Sequence, residues 1–436
     1  MNGYVIIFLL VNTAALLLLP RRWAPLTFII GACYVPASLV IELGSFHFTA
    51  VRILIGVGLM RIVIRGEKLK NGINGLDKLM LVWAAWAVIS CLFHQEPSAD
   101  LVYKLGLVYD ACGIYFLLRI FCQSIDDVVD LCSVTAIMLL PLAVEMLCEK
   151  LAFYNAFSLL GGVNSIPYIR DGKARANGPF AHAILAGTIG AVCLPLMVGL
   201  WREHRKKAAL GIVACLAIIY ASTSSGPILS ALFAISALWM WKYRSRMRFV
   251  RWLAVFAYIG LDLIMKDPAY FLIERMDMTG SSTGWYRARL IQSAIEHLSE
   301  WWFAGTDVTI HWMLQTVPGS ANNTDITNHY LQMGVWGGLP LMLLFIAIVA
   351  KGFSLVGKTL QKMPEKSTHS RFVVWSLGAS LFAHATTFIS VSYFDQSIVF
   401  LYLTLAAIGS AGTTFGNIHA PEVNKQRSKA YSKQFS

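Results

Sequence analysis

Apolar residues along this chain gather into long runs separated by short polar or basic connections, with no sustained apolar–polar alternation. A helix needs roughly 20 apolar residues to cross a hydrocarbon core of about 30 Å, whereas a barrel strand needs about 10 alternating ones. The pattern therefore predicts helical spans, which satisfy every backbone group within one segment. Thirteen runs fit: 4–19, 25–42, 48–64, 77–93, 101–121, 128–147, 180–200, 207–222, 226–242, 249–265, 333–350, 372–391 and 396–413. The expected fold is an all-α polytopic bundle of 12 or 13 spans, with residues 1–436 as a single integral membrane domain. The run from Tyr4 to Leu19 has neither a basic start nor a small-residue cleavage site, so it is expected to be retained as a span.

Two longer polar segments, 148–179 and 266–330, interrupt the pattern with Gly, Asn, Ser and aromatic residues. In the second, Leu290, Ile291, Ala294, Ile295 and Leu298 recur at helical spacing. That spacing predicts an amphipathic helix over 286–302, lying at the interface.

Composition narrows the class. A hydrophobic share of 57%, a charged share of 14% and a mean hydropathy of +0.60 exclude an ordinary soluble domain. The net charge of +12 comes mostly from Lys and Arg in the connections: Arg21-Arg22, Arg65 to Lys78, Arg202 to Lys207, Lys242 to Arg251 and Lys351 to Arg371. All fall on one side if the N-terminus is outside, and the basic tail 417–436 joins them with Lys425, Arg427, Lys429 and Lys433. Basic loops favour the cytoplasm, which places 148–179 and 266–330 outside and accounts for the charge without nucleic acid. An even span count with the N-terminus inside stays open. The eight cysteines form no CxxC, and most lie inside or beside apolar runs as small core residues.

Candidate chemistry concentrates in the outer segments. Arg170, Lys173 and Arg175 precede His182, and Arg287 and Arg289 open the amphipathic stretch with Arg275 upstream. Guanidinium forks suit phosphate and stay charged, although the same residues at an interface also suit lipid headgroups. His329 closes Asp325-Ile-Thr-Asn-His329 where the chain returns to an apolar run, and imidazole is the usual general base near neutral pH. Among ionisable residues inside the runs, Glu42, Arg52 and Arg119 fall near span ends within reach of headgroups, while Asp110 and Glu145 fall deep. No Asp-x-Asp, HExxH or His/Cys ligand spacing occurs, so no metal site is expected. Ser222-Thr-Ser-Ser-Gly226 reads as a tight turn between two spans.

Several of these pieces resemble, in order and spacing, the O-antigen ligase and O-antigen polymerase superfamily of bacterial envelope polysaccharide proteins. They are Arg175-Ala-Asn-Gly-Pro-Phe-Ala-His182, Thr223-Ser-Ser-Gly226, Tyr286-Arg287 with Ala294, and Trp302-Phe-Ala-Gly305. The series ends in Thr327-Asn-His-Tyr-Leu-Gln332 with Gly334 and Gly337-Gly338, where the histidine stands two residues later than in the family motif. The resemblance implies an inverting, metal-independent glycosyltransferase of the bacterial inner (plasma) membrane, with its site facing the periplasm. Its donor would be an oligosaccharide on undecaprenyl diphosphate and its acceptor a hydroxyl of a glycan or lipid. Partners would be the bilayer and polysaccharide assembly proteins; no cofactor is expected. Arg287, Arg289 and Arg175 would hold the diphosphate, with His329 or Asp325 orienting the acceptor. The competing reading is a secondary transporter or flippase for a lipid-linked or anionic solute.

Overall fold

A computed structural model describes residues 2–44, 46–70, 72–275, 284–313, 322–365 and 367–416. The basic tail 417–436 lies outside the described residues, as do 276–283 and 314–321 of the large loop and the side chain of Arg275. Each apolar run contains a helix: α1 Gly3–Leu18, α2 Pro25–Tyr34, α3 Ala50–Arg65, α4 Gly75–Ile89, α5 Pro97–Phe121, α6 Ile125–Ala152, α7 Ala183–Gly199, α8 Arg205–Ala221, α9 Ser225–Trp239 and α10 Met247–Ile264. After the large loop come α14 His329–Lys362, α15 Thr368–Thr387 and α16 Ile398–Gly416. The loop itself carries α11 Leu272–Arg275, α12 Gly284–Glu296 and α13 Leu298–Trp301. Among the described residues, five helical stretches are long and apolar enough to cross a membrane: Gly75–Phe93, Pro97–Phe121, Ile125–Ala152, Ala183–Arg202 and His329–Lys362.

Local chemistry fixes the helix ends. Asn74 with Asp77 and Ser124 with Asp127 form capping boxes at α4 and α6, and Gly66 closes α3 in the left-handed region. The run 25–42 does not stay helical. It stops at Tyr34, because Pro36 disfavours helix at Val35, and the chain then makes a hairpin of β1 (Val40–Leu43) and β2 (Phe46–Thr49). A second hairpin, β3 (Tyr168–Arg170) with β4 (Lys173–Arg175), lies in the shorter outer segment.

At the centre is α7, apolar on every side and buried along nearly its whole length, as a fully enclosed helix should be. Helices α8, α9 and α15 pack around it; α6 packs on α8, α14 on α4 and α16 on α5. By contrast, no residue of α10 is buried.

The connections sort into two ends. Arg21 donates to the Phe121 carbonyl at 3.0 Å, Gln123 to the Lys68 carbonyl at 2.8 Å, and Trp241 meets Phe372 with ring centroids 5.4 Å apart. Lys351 packs beside Gly75 and His369 lies 3.9 Å from Glu203, so the five basic connections share one end of the bundle, as the charge pattern predicts. At the other end, Asn2 donates to the Leu159 carbonyl at 2.9 Å, and Gln396 to the Pro179 carbonyl at 2.8 Å. Gln95 N–H there donates to Asp307 at 2.7 Å.

The amphipathic stretch differs from expectation. It breaks at His297 into α12 and α13, and its apolar face is covered by its own loop instead of lying bare. Tyr286, Leu290 and Ala294 form a small core with Trp301, Trp312, Ile326 and Val335, while Ile295 and Leu298 point outward. In water each large buried side chain of this kind contributes about 1.5–3 kcal/mol. That driving force is missing between helices in lipid.

Candidate functional site

Two cavities at the loop end meet at Ala37, which lines both. The first, about 280 Å³, is lined by Ala37, Tyr168, Arg175, Asn177, Pro179 and His182 among others. The second, about 240 Å³, is lined by Ala37, Arg52, Asp110, His329, Tyr393 and Gln396 among others. Gln396 of the second cavity is tied to two residues of the first, accepting from Ala37 N–H at 3.2 Å and donating to the Pro179 carbonyl at 2.8 Å. Beside it, Asp395 accepts from Ala181 N–H at 3.0 Å and from Ser397 N–H at 2.8 Å.

Arg175 reaches the first cavity from the end of β4. Hairpin β3–β4 is held to the α8–α9 turn, where Ala176 N–H donates to the Ala221 carbonyl at 3.1 Å and the Thr223 hydroxyl to the Ala174 carbonyl at 2.9 Å. Thr223 takes a positive φ of 45° there, which confirms the tight turn. Below the hairpin, Glu149 of α6 accepts from the N–H groups of Asn177, at 3.1 Å, and Gly178, at 2.8 Å. Two sequence pieces 40-odd residues apart, around Arg175 and around Ser224, thus form one wall.

Among the described residues, no carboxylate compensates the charge on Arg175. Its Nη2 donates to Ser224 Oγ at 2.8 Å, its Nε has no partner, and Tyr168 offers a ring face at 5.9 Å. Burial, and then Arg170, pull the guanidinium down from its usual value, with no carboxylate opposing the shift. Four Lys or Arg side chains are buried among the described residues: Arg61, Lys104, Arg119 and Arg175. Arg61 pairs with Glu67 at 2.7 Å, Lys104 with Asp100 at 2.7 Å and Arg119 with Asp77 at 3.1 Å. Arg175 alone of the four has no carboxylate. A buried cation in that state calls for an anion from outside the chain.

His182 caps α7, its Nδ1 accepting from Ile184 N–H at 3.1 Å. Burial first, then Arg175 and Arg170, depress its pKa to about 4, so the ring is neutral at ordinary pH. It adds a polar wall to the first cavity without adding charge.

His329 sits in the second cavity. The ring is buried between Phe388, Tyr393 and Phe345, with Nδ1 3.3 Å from both Ser392 Oγ and Tyr393 N–H. Because Tyr393 N–H donates to Nδ1, the network assigns the ring proton to Nε2, which has no protein partner. In that tautomer His329 donates a hydrogen bond and so suits orienting an oxygen better than taking a proton. Arg52 and Asp110 face each other here, with Nη2 2.8 Å from Oδ2.

Arg287 and Asp325 meet on the large loop. Tyr286 hydroxyl donates to the Asp325 carbonyl at 2.8 Å, and the Arg287 charge acts on the Asp325 carboxyl. Partial desolvation raises that carboxyl above its usual range although Asp325 keeps an exposed surface, and Arg287 opposes the rise. Asp325 precedes His329 by four residues, at most about 14 Å of chain. Arg289 does not join them. It is exposed, stacked 5.7 Å over Phe271, because two residues along a helix turn a side chain to the far face.

The glycine pieces mate with each other. Helix α14 kinks at Gly337–Gly338, where Gly338 has φ +73°, and Leu339 N–H donates to the Trp302 carbonyl at 2.8 Å. Thr306 N–H donates to the Val335 carbonyl at 2.9 Å, and a Cβ on Gly338 or Gly305 would strike backbone of the other strand. The segment after α13 thus docks main chain to main chain against α14.

Corrections concern the ionisable residues. Arg119 does not reach headgroups; it is 1% exposed, bound to Asp77 and to Ser410 Oγ at 3.1 Å. Arg52 likewise turns inward to Asp110, and Glu145 lies at the loop end, accepting from Ala156 N–H at 3.0 Å. The residues missed were Ser224, Tyr393, Asp395 and Gln396. The polar cluster Ser392-Tyr-Phe-Asp-Gln-Ser397 between two apolar runs was the available signal. No protein-family model matches the chain, and no curated protein matches it either.

Proposed function

We propose that this chain is an inverting, metal-independent glycosyltransferase that moves a glycan from an undecaprenyl-diphosphate carrier to an acceptor hydroxyl, as a polysaccharide polymerase or O-antigen-type ligase. In this reading the bundle crosses the bacterial inner membrane with 12 or 13 spans and the loop end faces the periplasm. The observation that carries the reading is Arg175, a buried guanidinium lining a cavity with no carboxylate partner among the described residues. A diphosphate supplies the missing charge, and a forked guanidinium stabilises it most as the glycosidic bond breaks. The acceptor oxygen attacks the anomeric carbon, the bond to the diphosphate breaks, and the lipid diphosphate leaves with the electron pair. The acceptor's proton goes to Asp325, an exposed carboxyl whose pKa lies above its usual range, or to solvent, while His329 Nε2–H holds the acceptor. Arg287 is the second diphosphate ligand; Arg289 is no longer placed at the site.

One observation favours a transporter instead: the Arg52–Asp110 pair lining the second cavity between α3 and α5. Arg175→Ala and Arg287→Ala in a polymer-producing strain separate the readings. Transfer predicts loss of polymer with the lipid-linked precursor accumulating on the outer leaflet; transport predicts precursor trapped on the inner leaflet. Full-length polymer from both variants, at wild-type protein levels, sinks the transferase. Single units still transferred mark a polymerase, whereas polymer left on the carrier marks a ligase.

A further inference from the structure

Away from both cavities, the large loop gathers three side chains with ligand chemistry. His297 follows α12, Glu300 lies on α13, and His311 lies in the short helical turn Ile310–Trp312. One ligand atom from each falls within 4.8 Å of the other two. His297 Nδ1 donates to the Ser293 carbonyl at 2.9 Å, which fixes the tautomer that keeps the Nε2 lone pair available. A backbone carbonyl behind the imidazole is the usual outer partner of a metal-bound histidine. His311 Nε2 lies 2.9 Å from Glu300 Oε2, and Trp312 Nε1 donates to that same oxygen at 3.2 Å. The second carboxylate oxygen stays open. Trp312 also stacks on His297, ring centroids 6.0 Å apart, so one buried residue orients two of the three ligands.

We propose that His297, Glu300 and His311 bind a zinc-class divalent cation that staples the large loop. Two imidazoles and one carboxylate suit a borderline transition ion; magnesium and calcium prefer all-oxygen sets. Donors at zinc distance in a tetrahedron stand roughly 3.4 Å apart. The 2.9 Å contact and the 4.8 Å limit bracket that value, so small rotations of Glu300 and His311 close the site. Both can move, their side chains being 37% and 43% exposed. The fourth position falls to water.

The ion ties the α12–α13 junction to the turn at His311 and so encloses the segment that docks on Gly337–Gly338. It does not touch the proposed chemistry, since His297 lies roughly 15 Å along the helix axis from Arg287. The ligands escaped sequence reading because they are spread as His-x2-Glu-x10-His, outside the compact spacings that mark zinc motifs.

The test uses full-length protein in detergent micelles, stripped by a chelator and titrated calorimetrically with zinc chloride and, separately, magnesium chloride. One zinc per chain is expected, no magnesium, and a loss of more than about tenfold in zinc affinity for Glu300→Gln and His311→Ala. Melting without metal checks that the variants fold, and zinc should raise the melting temperature of wild type but not of either variant. Equal zinc binding by wild type and both variants, or none by wild type, overturns the site. Glycan transfer is not the readout, so the outcome is independent of the transferase reading.

Discussion

At the basic end of the bundle, Arg119 of α5 is held from two sides, by Asp77 at the start of α4 and by Ser410 on α16. Tyr115 hydroxyl donates to the same carboxylate at 2.6 Å. At the loop end, Arg175 is buried almost as deeply, yet it has a single hydroxyl partner and an open cavity in front of it. A closed pair of this kind fixes which helices meet and in what register, and breaking one half strands the other in low dielectric. An open cation stores the opposite asymmetry: the fold bears its desolvation, and a bound anion relieves it. The first arrangement serves the architecture, and the second marks where a ligand belongs.

Arg119→Ala should have the largest effect. It leaves Asp77 buried and charged at a cost of about 3–5 kcal/mol, seen as loss of folded monodisperse protein on size exclusion. Replacing Arg119 and Asp77 together by Met and Leu should recover most of that loss. Arg175→Ala should do the reverse, leaving the melting temperature unchanged or raised while transfer falls about 10²–10³-fold. Inorganic pyrophosphate should stabilise wild type and not this variant. If Arg175→Ala melts as early as Arg119→Ala, the contrast between the two ends is broken.

His182 sharpens the contrast through pH. Its folded pKa of about 4 lies below the ordinary histidine value, so the unfolded chain binds its proton first. Stability is therefore present above the ordinary value and lost as pH falls toward 4, by roughly 3 kcal/mol. Melting curves from pH 7 to 4 should show that loss in wild type and a smaller one in His182→Gln. Arg289→Ala should matter least, changing stability by under about 0.5 kcal/mol and transfer by less than twofold.

The helices were legible because hydropathy is a local property, and each apolar run does contain one. Partners were not. Arg119 and Asp77 stand 42 residues apart, and nothing in either neighbourhood announces the other. Read locally, Arg119 looked like a residue able to reach a headgroup, since span ends are judged by hydropathy alone. Arg175 was legible as a charge but not as an uncompensated one, which depends on what every other helix fails to supply. Arg287 and Arg289 looked equivalent in sequence, and only the helix turn between them separates their surroundings. The amphipathic stripe was right at Leu290 and Ala294. It failed at Ile295, which the helix turns about 100° away from Ala294, and at Leu298, which follows the break after α12.

The joint at Gly305 and Gly338 is built largely from peptide groups, and it requires that neither position carry a side chain. Such a contact is indifferent to most substitutions around it. Trp302, Phe303 and Ala304 contribute carbonyls or backbone space to it, which any residue brings. The geometry of the large loop can thus be inherited through two silent positions while the letters between them drift, and a lineage can keep the shape long after its spelling has ceased to match.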